Sequence, residues 1–245
     1  MYKHVFLGTF IALTLAACQS EYRNIRDYYY PVLDQQSGEV YAYDLTMNGQ
    51  TIRDYWYFRG FVRDSGLFLS STNYDEQFRI NQISRERIDE TGAVNRDYFV
   101  YEQDSATHKS VQTAAVVESP DVFPFRVKDS LGVFLFNLHY RPAGMNGAKL
   151  YLIRNRYFLG DAPDFEFNGK KYPCIRMGVR EAIGNESEGA SEIEGKGEEW
   201  YAKGIGLVYF KKTYGDKGSV VREYRLRERF DMTELERRAG KSFGQ

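Results

Sequence analysis

The sequence predicts an all-β fold of mainly antiparallel strands, arranged as a strongly curved sheet, an open barrel or a sandwich. The first observation behind this prediction is that 20 tyrosines and 17 phenylalanines occur mostly in alternating runs, which is typical of strands with one buried face. The second is that about a dozen such runs are separated by turn signals. The third is that helical character is confined to a short C-terminal helix and a cleaved N-terminal signal helix.

The predicted strands follow one another from residue 39 onward. Each is a run that alternates apolar or aromatic residues with polar ones, or a short apolar run. Asn168 and Gly169, the strongest short hairpin signal in the chain, divide one of these runs into two strands. The ranges are 39–45, 52–62, 67–72, 77–83, 85–102 with an internal turn, 110–118, 131–140, 148–158, 165–177, 200–215 and 219–230.

Two further local signals lie in the C-terminal part of the chain. Asp231 or Thr233 can cap a helix over "ELERRAG", which ends at Gly240. Gly204 and Gly206 flank a single apolar residue within the run 200–215, a pattern that suits a bulge or a bend where another segment packs closely. The absence of a third glycine at the right spacing argues against a phosphate-binding turn.

The amino terminus has the pattern of a processed lipoprotein. Residues 5–15 are uncharged and mostly apolar, too short for a membrane-spanning helix of about 20 residues but typical of a signal peptide. Leu-Ala-Ala-Cys at 15–18 resembles the lipobox of bacterial lipoproteins. The resemblance implies cleavage before Cys18, a diacylglyceryl group on its sulfur and an acylated amino terminus. Gln19, rather than Asp, follows the cysteine, and this resembles the sorting pattern of lipoproteins that are delivered to the outer membrane. The alternative is an ordinary secretory signal with an accidental cysteine.

The domain organisation follows from this processing. Residues 1–17 are the predicted signal peptide, 18–28 a tether, and 29–245 a single β-rich domain. A weak internal echo between "YPVLDQQSGEVYAY" and "FPFRVKDSLGVFLF" raises the alternative of a duplication with halves at about 29–118 and 119–230. Strands that begin after a proline and end before Asn-Gly explain the echo more simply, and no linker separates the halves.

A second resemblance covers isolated segments of the body. An opening of the form Pro-x(n)-Gly-x-x-aromatic, followed later by W-Y-A-x-G-(I/V)-G-L-V, is similar to a pattern in uncharacterised β-rich lipoproteins of the bacterial cell envelope. The resemblance implies a strongly bent antiparallel sheet, similar to the half-barrels of periplasmic lipoprotein carriers, and it implies no activity. The matching residues are Pro31, Gly38, Tyr41, Tyr43, Trp200, Tyr201, Ala202, Gly204, Ile205, Gly206, Leu207 and Val208.

Charge and cysteine content narrow the classes of partner. Cleavage after residue 17 removes Lys3 and leaves 32 basic and 34 acidic residues, a balance that argues against a nucleic-acid partner. If Cys18 is lipidated, Cys174 is the only remaining thiol and no intrachain disulfide can form. The alternating surroundings of Cys174 predict a small buried residue rather than a nucleophile.

The residue types that carry catalysis or bind metals form no recognisable group. His108 and His139 are 31 residues apart and belong to no zinc-binding motif. No Gly-x-Ser-x-Gly sequence places a serine nucleophile. Asp161, Asp164 and Glu166 are the tightest acidic group, which we interpret as a solvated loop rather than a calcium site. We therefore predict no catalytic, cofactor-binding or metal-binding residue, and no cofactor.

Charge is segregated along the C-terminal third of the chain. Residues 181–199 contain seven Glu and one Lys among Gly, Ser and Asn, and predict a mobile acidic loop. Residues 211–229 contain seven basic and three acidic residues on the two following strands. The loop either screens the neighbouring sheet or acts as a flexible segment that binds a partner.

These observations favour a membrane-anchored cell-envelope lipoprotein that acts as a non-catalytic binding or assembly module. Its predicted partners are the membrane, through the lipid on Cys18, and a protein or a hydrophobic ligand. The first alternative is a periplasmic-side carrier of lipid or another hydrophobic ligand, since aromatic residues on a curved sheet can line a concavity. The second is a surface enzyme acting on carbohydrate. We predict placement in the outer membrane.

Overall fold

The computed structural model describes residues 22–104, 107, 109–128, 132–143, 145, 147–186, 192–215 and 218–243. The predicted signal helix, the predicted lipidation site Cys18 and His108 lie outside these residues. Within them, no helix is long and apolar enough to cross a membrane.

The described residues form fifteen strands and one α-helix. Most strands are longer than the runs predicted for them, because pairing on both edges extends the regular backbone beyond the alternating core positions. The strands are β1 (Arg23–Asn24), β2 (Glu39–Met47), β3 (Gln50–Arg63), β4 (Gly66–Tyr74), β5 (Ile80–Ile88), β6 (Gly92–Gln103), β7 (Ser110–Ala114), β8 (Val116–Pro124), β9 (Arg126–Val127), β10 (Phe134–Tyr140), β11 (Leu150–Phe167), β12 (Lys170–Asn185), β13 (Glu192–Ala202), β14 (Gly206–Tyr214) and β15 (Val220–Phe230), and the helix α1 is Met232–Ala239.

Twelve of these strands form a closed antiparallel barrel, which confirms the predicted fold class. Around the ring the order is β5, β4, β3, β2, β15, β14, β13, β12, β11, β10, β8 and β6, and β6 pairs back to β5. β7 is an additional strand paired to β6. The barrel is closed rather than open. The turn after Ile88 returns the chain so that β5 pairs with β6 along most of their lengths.

The residues before β2 cover one end of the barrel. β1 pairs with β9, Ile25 is fully buried, and the backbone N–H of Gly60 donates to the carbonyl of Gln35. Residues 23–28 therefore belong to the packed domain, and the predicted tether at 18–28 does not extend as far as residue 28. The physical reason is that the end of a wide barrel exposes apolar side chains that this segment buries.

Two predicted strands are each divided in the structure. The run 110–118 separates into β7 and β8, because residues 110–114 pair with β6 whereas β8 moves away to pair with β10. The run 200–215 is a hairpin, in which Gly204 has a φ of +74° in the turn and Gly206 has a φ of +101°. A Cβ at Gly206 would lie 2.5 Å from the ring of Tyr30, so the predicted close approach of another segment is confirmed.

The prediction of a mobile acidic loop at 181–199 is wrong for most of this segment. β12 continues to Asn185 and β13 begins at Glu192, so the segment is mainly two paired strands. Residues 187–191 lie outside the described residues. Glu181 and Glu199 are buried inside the barrel, where basic side chains neutralise them.

The helix α1 packs on the outside of the barrel. Its residue Leu235 is fully buried against Val40, Ala42, Tyr55 and Tyr74, which lie on the outward face of β2, β3 and β4. The predicted caps are confirmed for this helix: the side chain of Asp231 accepts from the N–H of Glu234, and Gly240 adopts the left-handed conformation after its last turn.

We expect Leu235→Ala to lower the free energy of unfolding by about 2 to 5 kcal/mol, because it opens a cavity beneath the helix and removes its one fully buried side chain. Urea unfolding followed by circular dichroism measures this change. Thr233→Ala, on the exposed side of the same helix, is the matched control and should change stability by less than about 1 kcal/mol. Equal effects of the two substitutions would contradict the packing of α1 on the barrel.

Candidate functional site

The barrel encloses a cavity of about 620 Å³. At one end it is lined by Tyr29 and Tyr30 from the segment that covers the barrel. At the other end it is lined by the exposed residues Ile52, Glu76 and Ile183, where it reaches solvent. We call this second end the mouth. The cavity is thus a pocket with one closed end, and its walls differ in chemistry around the ring.

One wall of the cavity is aromatic and is formed by β2, β15 and β14. The ring of Tyr224 stacks between those of Tyr43 and Phe210, with centroid distances of 4.4 and 4.7 Å. Nearby, Tyr30 stacks on Phe58 at 4.1 Å. Such rings present broad apolar faces, so this wall can pack against an apolar or planar ligand.

The adjacent wall carries five charged side chains from β11, β12, β13 and β14. Arg154, Glu181, Gly195 and Tyr214 lie directly opposite one another across these four strands. A Cβ at Gly195 would lie 2.4 Å from the ring of Tyr214. Glycine at this position therefore lets the tyrosine cross β13, and its hydroxyl donates to Glu181 Oε2 at 2.6 Å.

Lys212 links the two carboxylates of this wall. Its Nζ lies 2.9 Å from Glu181 Oε1 and 2.8 Å from Glu199 Oε1. Glu181 also accepts from Arg154, and Glu199 accepts from Arg156 Nε at 2.7 Å. We call Arg154, Arg156, Glu181, Glu199 and Lys212 the charged cluster.

Burial and charge act in opposite directions on the two carboxylates. The side chains of Glu181 and Glu199 are only 2% and 3% exposed, and burial by itself raises a carboxyl pKa. The attraction of Arg154 and Lys212 outweighs burial and holds the pKa of Glu181 well below its ordinary value. Arg156 and Lys212 do the same for the pKa of Glu199. Both side chains are therefore ionised at neutral pH.

The remaining wall, from β3 to β6, is polar and mostly uncharged. Asp54 accepts from the side-chain amide of Asn73 at 2.9 Å and from the indole N–H of Trp56 at 3.0 Å. Glu86 accepts from the hydroxyl of Tyr29. Burial raises the pKa of both Asp54 and Glu86, in contrast to the carboxylates of the charged cluster.

The sequence matches no protein-family model, and no curated protein matches it. Among solved structures, the chain is similar to a protein from Bacteroides fragilis that is provisionally classed as exported and has a YmcC-like fold. The two are 15% identical, with a TM-score of 0.52, over 83% of this chain and 99% of that chain. This chain has the same fold.

Two other crystal structures are also similar. A protein from Parabacteroides distasonis, provisionally classed as a lipoprotein, is 12% identical over 83% of this chain and 98% of its own, with a TM-score of 0.49. The hypothetical lipoprotein YmcC from Escherichia coli is 9% identical over 77% of this chain and 86% of its own, with a TM-score of 0.36.

Of the residues weighed as catalytic or metal-binding from the sequence, those that the structure describes do not line the cavity. His139 is on β10 and its Nδ1 lies 3.2 Å from Glu118, as expected for the polar face of a strand. Asp161, Asp164 and Glu166 are exposed, but they lie on β11 and not in the predicted loop, because β12 pairs along this region through the Asn-Gly hairpin.

Cys174 is buried, as predicted, and burial raises the pKa of its thiol to about 11. This places the thiol in its protonated, weakly nucleophilic form at neutral pH. Across the part of the chain that the structure describes, no group of His, Cys, Asp or Glu side chains could hold a metal ion.

The sequence did contain a signal for the charged cluster. Arg154 and Arg156 alternate in phase with Leu152 and Phe158, so they share the face that the apolar residues bury. Charges in phase with a buried face indicate either a partner of opposite charge or a wet cavity. The positions of the partners, Glu181, Glu199 and Lys212, depend on the order of the strands and could not be read from one strand.

We expect Glu181→Gln to lower the free energy of unfolding at neutral pH by about 3 to 5 kcal/mol, because Arg154 and Lys212 lose a buried partner. Glu194→Gln makes the same change of charge at an exposed position on β13 and is the matched control. Urea unfolding compares the variants. Equal stability of Glu181→Gln and the wild type would contradict the role of the cluster in the fold.

The lowered pKa of Glu181 also predicts how the stability difference between the wild type and Glu181→Gln depends on pH. A carboxyl whose pKa is lower in the folded state stabilises the protein at pH values above its unfolded pKa, about 4.3 for Glu, and loses this effect as the pH falls towards the folded pKa. The difference in unfolding free energy between the wild type and Glu181→Gln should therefore be constant from about pH 7 to pH 5 and decrease below about pH 4. A difference that grows on acidification would contradict the lowered pKa.

Proposed function

We propose that the protein is a lipid-anchored lipoprotein of the bacterial cell envelope that binds a small ligand inside its barrel without changing it chemically. The cavity of about 620 Å³, closed at one end and open at the mouth, is the observation that carries this proposal. Its volume lies within the range of about 300 to 1,000 Å³ that is typical of small-molecule sites. Its lining combines aromatic faces with many polar and charged groups, so the cavity is more polar than a typical small-molecule site and suits a ligand that carries polar groups.

The state of the carboxylates supports binding rather than catalysis. Hydrolysis of a glycoside needs one carboxyl that can give a proton and a second that faces the reacting carbon. Glu181 and Glu199 hold low pKa values, and their oxygens are occupied by arginine, lysine and tyrosine donors. The oxygens of Asp54 are likewise occupied by the side chains of Asn73 and Trp56. These contacts favour a structural role for the carboxylates over the alternative of a carbohydrate-active enzyme.

A carrier of lipid or another hydrophobic ligand is the second candidate function, and the aromatic wall favours it. The stacked rings of Tyr43, Tyr224 and Phe210 could lie against an apolar ligand. A wholly apolar ligand would also face Arg154 and Lys212 on the adjacent wall, and it would leave their surroundings without water. A ligand with both apolar and polar parts fits the lining better.

The anchor rests on the lipobox and on the short stretch of sequence between Cys18 and β1. From Tyr22 the chain enters the segment that covers the closed end of the barrel. Only residues 19–21 would separate an acylated Cys18 from this end, so the mouth would face away from the membrane. The similar protein from Parabacteroides distasonis is itself provisionally classed as a lipoprotein. Gln19 after the cysteine supports delivery to the outer membrane.

The cavity proposal predicts that a bulky residue at the mouth excludes the native ligand. Ile52→Trp adds volume beside the mouth, whereas Val62→Trp makes a similar change near the opposite end of β3, away from the cavity lining. After extraction in mild detergent, mass spectrometry should find a small molecule with the wild type and with Val62→Trp, and less of it with Ile52→Trp. Equal recovery from all three proteins, or recovery from none, would count against the proposal.

The anchor proposal predicts that Cys18→Ala releases the protein from the membrane fraction. Two or more acyl chains hold a protein stably on a bilayer, since each buried CH₂ contributes about 0.8 kcal/mol. Fractionation and immunoblotting should show the variant in the soluble fraction after signal cleavage, with Cys174→Ala remaining on the membrane as the control. Membrane retention of the cleaved Cys18→Ala protein would refute the anchor.

A further inference from the structure

Arg222 stands apart from the other basic side chains that line the cavity. Arg79, Arg154, Arg156 and Lys212 each have an ion pair with a carboxylate. Among the described residues Arg222 has none, and its Nε is buried without a hydrogen-bond acceptor. A buried guanidinium N–H without a protein acceptor is available to a polar group of a ligand that enters the cavity.

The position of Arg222 shows how a ligand would reach it. On β15 it lies opposite Lys212 and opposite Met47, the last residue of β2, which places it towards the mouth. Two residues farther along the same face of β15 is Tyr224, whose ring stacks with those of Tyr43 and Phe210. A molecule entering the mouth therefore meets a free cation and then an aromatic surface.

Asp54 does not supply an acceptor for Arg222. Asp54 is close enough to interact electrostatically with Arg222, but it makes no hydrogen bond to the guanidinium. Its oxygens accept instead from Asn73, Trp56 and Tyr224. The two side chains therefore attract each other, and the Nε of Arg222 stays without a protein acceptor.

A second unpaired group lies on the polar wall. Asn95 is only 3% exposed, its Nδ2 donates to Ser84 Oγ at 2.8 Å, and its Oδ1 has no donor. It lines the same cavity as Arg222. One cavity thus contains an unpaired donor and an unpaired acceptor, which indicates a ligand with polar groups rather than a plain hydrocarbon chain.

We propose that the cavity binds an amphipathic anion. A carboxylate, sulfonate or phosphate group accepts from Arg222, and the apolar or planar body of the molecule packs on Tyr224 and its stacked neighbours. This inference rests on the proposed function, because it assumes that the cavity is a binding site, and it adds the chemical class of the ligand. A charge-assisted hydrogen bond inside a cavity is the contact expected to dominate the affinity.

Two fluorescent probes of the same aromatic skeleton test the proposal. Anilinonaphthalene sulfonate carries an anionic group, and phenylnaphthylamine is neutral. Both are titrated against a soluble chain that starts at residue 19, which contains every strand of the barrel and the helix. Arg222→Gln should weaken binding of the sulfonate by about tenfold or more and change binding of the neutral probe by less than about twofold.

Three control variants distinguish an effect of the Arg222 charge on probe binding from an effect of misfolding and from a change in the cavity. Arg222→Lys keeps the charge and should retain most of the affinity for the sulfonate. Arg180→Gln makes the same change of charge on the outer face of β12 and should affect neither probe. Ile52→Trp should weaken both probes, because it narrows the mouth. Circular dichroism and thermal unfolding establish that each variant is folded.

The outcomes distinguish this inference from the proposed function. If the neutral probe binds and Ile52→Trp weakens it, but Arg222→Gln leaves sulfonate binding unchanged or weakens both probes equally, the amphipathic-anion inference is wrong and the binding cavity stands. If neither probe binds the wild type, or if Ile52→Trp affects neither, both the inference and the proposed function are contradicted. Selective loss of sulfonate binding supports both.

Discussion

Closure of the sheet into a ring of twelve strands is the constraint on which the rest of the structure depends. In a barrel of about eight strands, side chains just fill the interior, and wider rings leave space that must be plugged, hydrated or occupied by a ligand. This protein plugs one end of the ring and leaves the other end open. The segment before β2 covers one end with Ile25, Tyr29 and Tyr30, and the other end keeps a cavity of about 620 Å³.

The wide interior also explains why charged side chains occupy positions that would be apolar in a narrower barrel. Arg156 and Lys212 are long enough to reach across neighbouring strands to Glu199. Glycine at 195 makes room for the side chain of Tyr214, and glycine at 197 lets the backbone of β14 approach closely. Desolvation of these ions is costly, and mutual pairing repays only part of that cost. The network therefore favours one arrangement of β11 to β14 over others more clearly than it adds stability, because a shifted register would separate the partners.

Local chemistry was predictable wherever neighbours in the sequence decide it. The Asn168-Gly169 hairpin, the Asp231 cap and the burial of Cys174 depend on residues a few positions apart or on the phase of one strand. The prediction for segment 181–199 is wrong because its structure depends on other strands and not on neighbours in the sequence. Its glycines and glutamates are typical of a solvated loop, yet Gly195 lies beneath a tyrosine ring and Glu181 lies among cations that other strands bring to it.

The sequence by itself determined the class of the fold, because alternation of aromatic and polar residues is a property of each strand alone. It also contains the contiguous stretch Leu-Ala-Ala-Cys at 15–18, which resembles a lipobox. Only the tertiary structure decided that the sheet closes, that the segment before β2 covers one end, and that Arg222 Nε and Asn95 Oδ1 lie at one cavity without a hydrogen-bond partner. These features depend on which strands become neighbours around the ring. Pairing between residues more than a hundred positions apart, such as Tyr41 with the carbonyl of Ile205, leaves no local trace in the sequence.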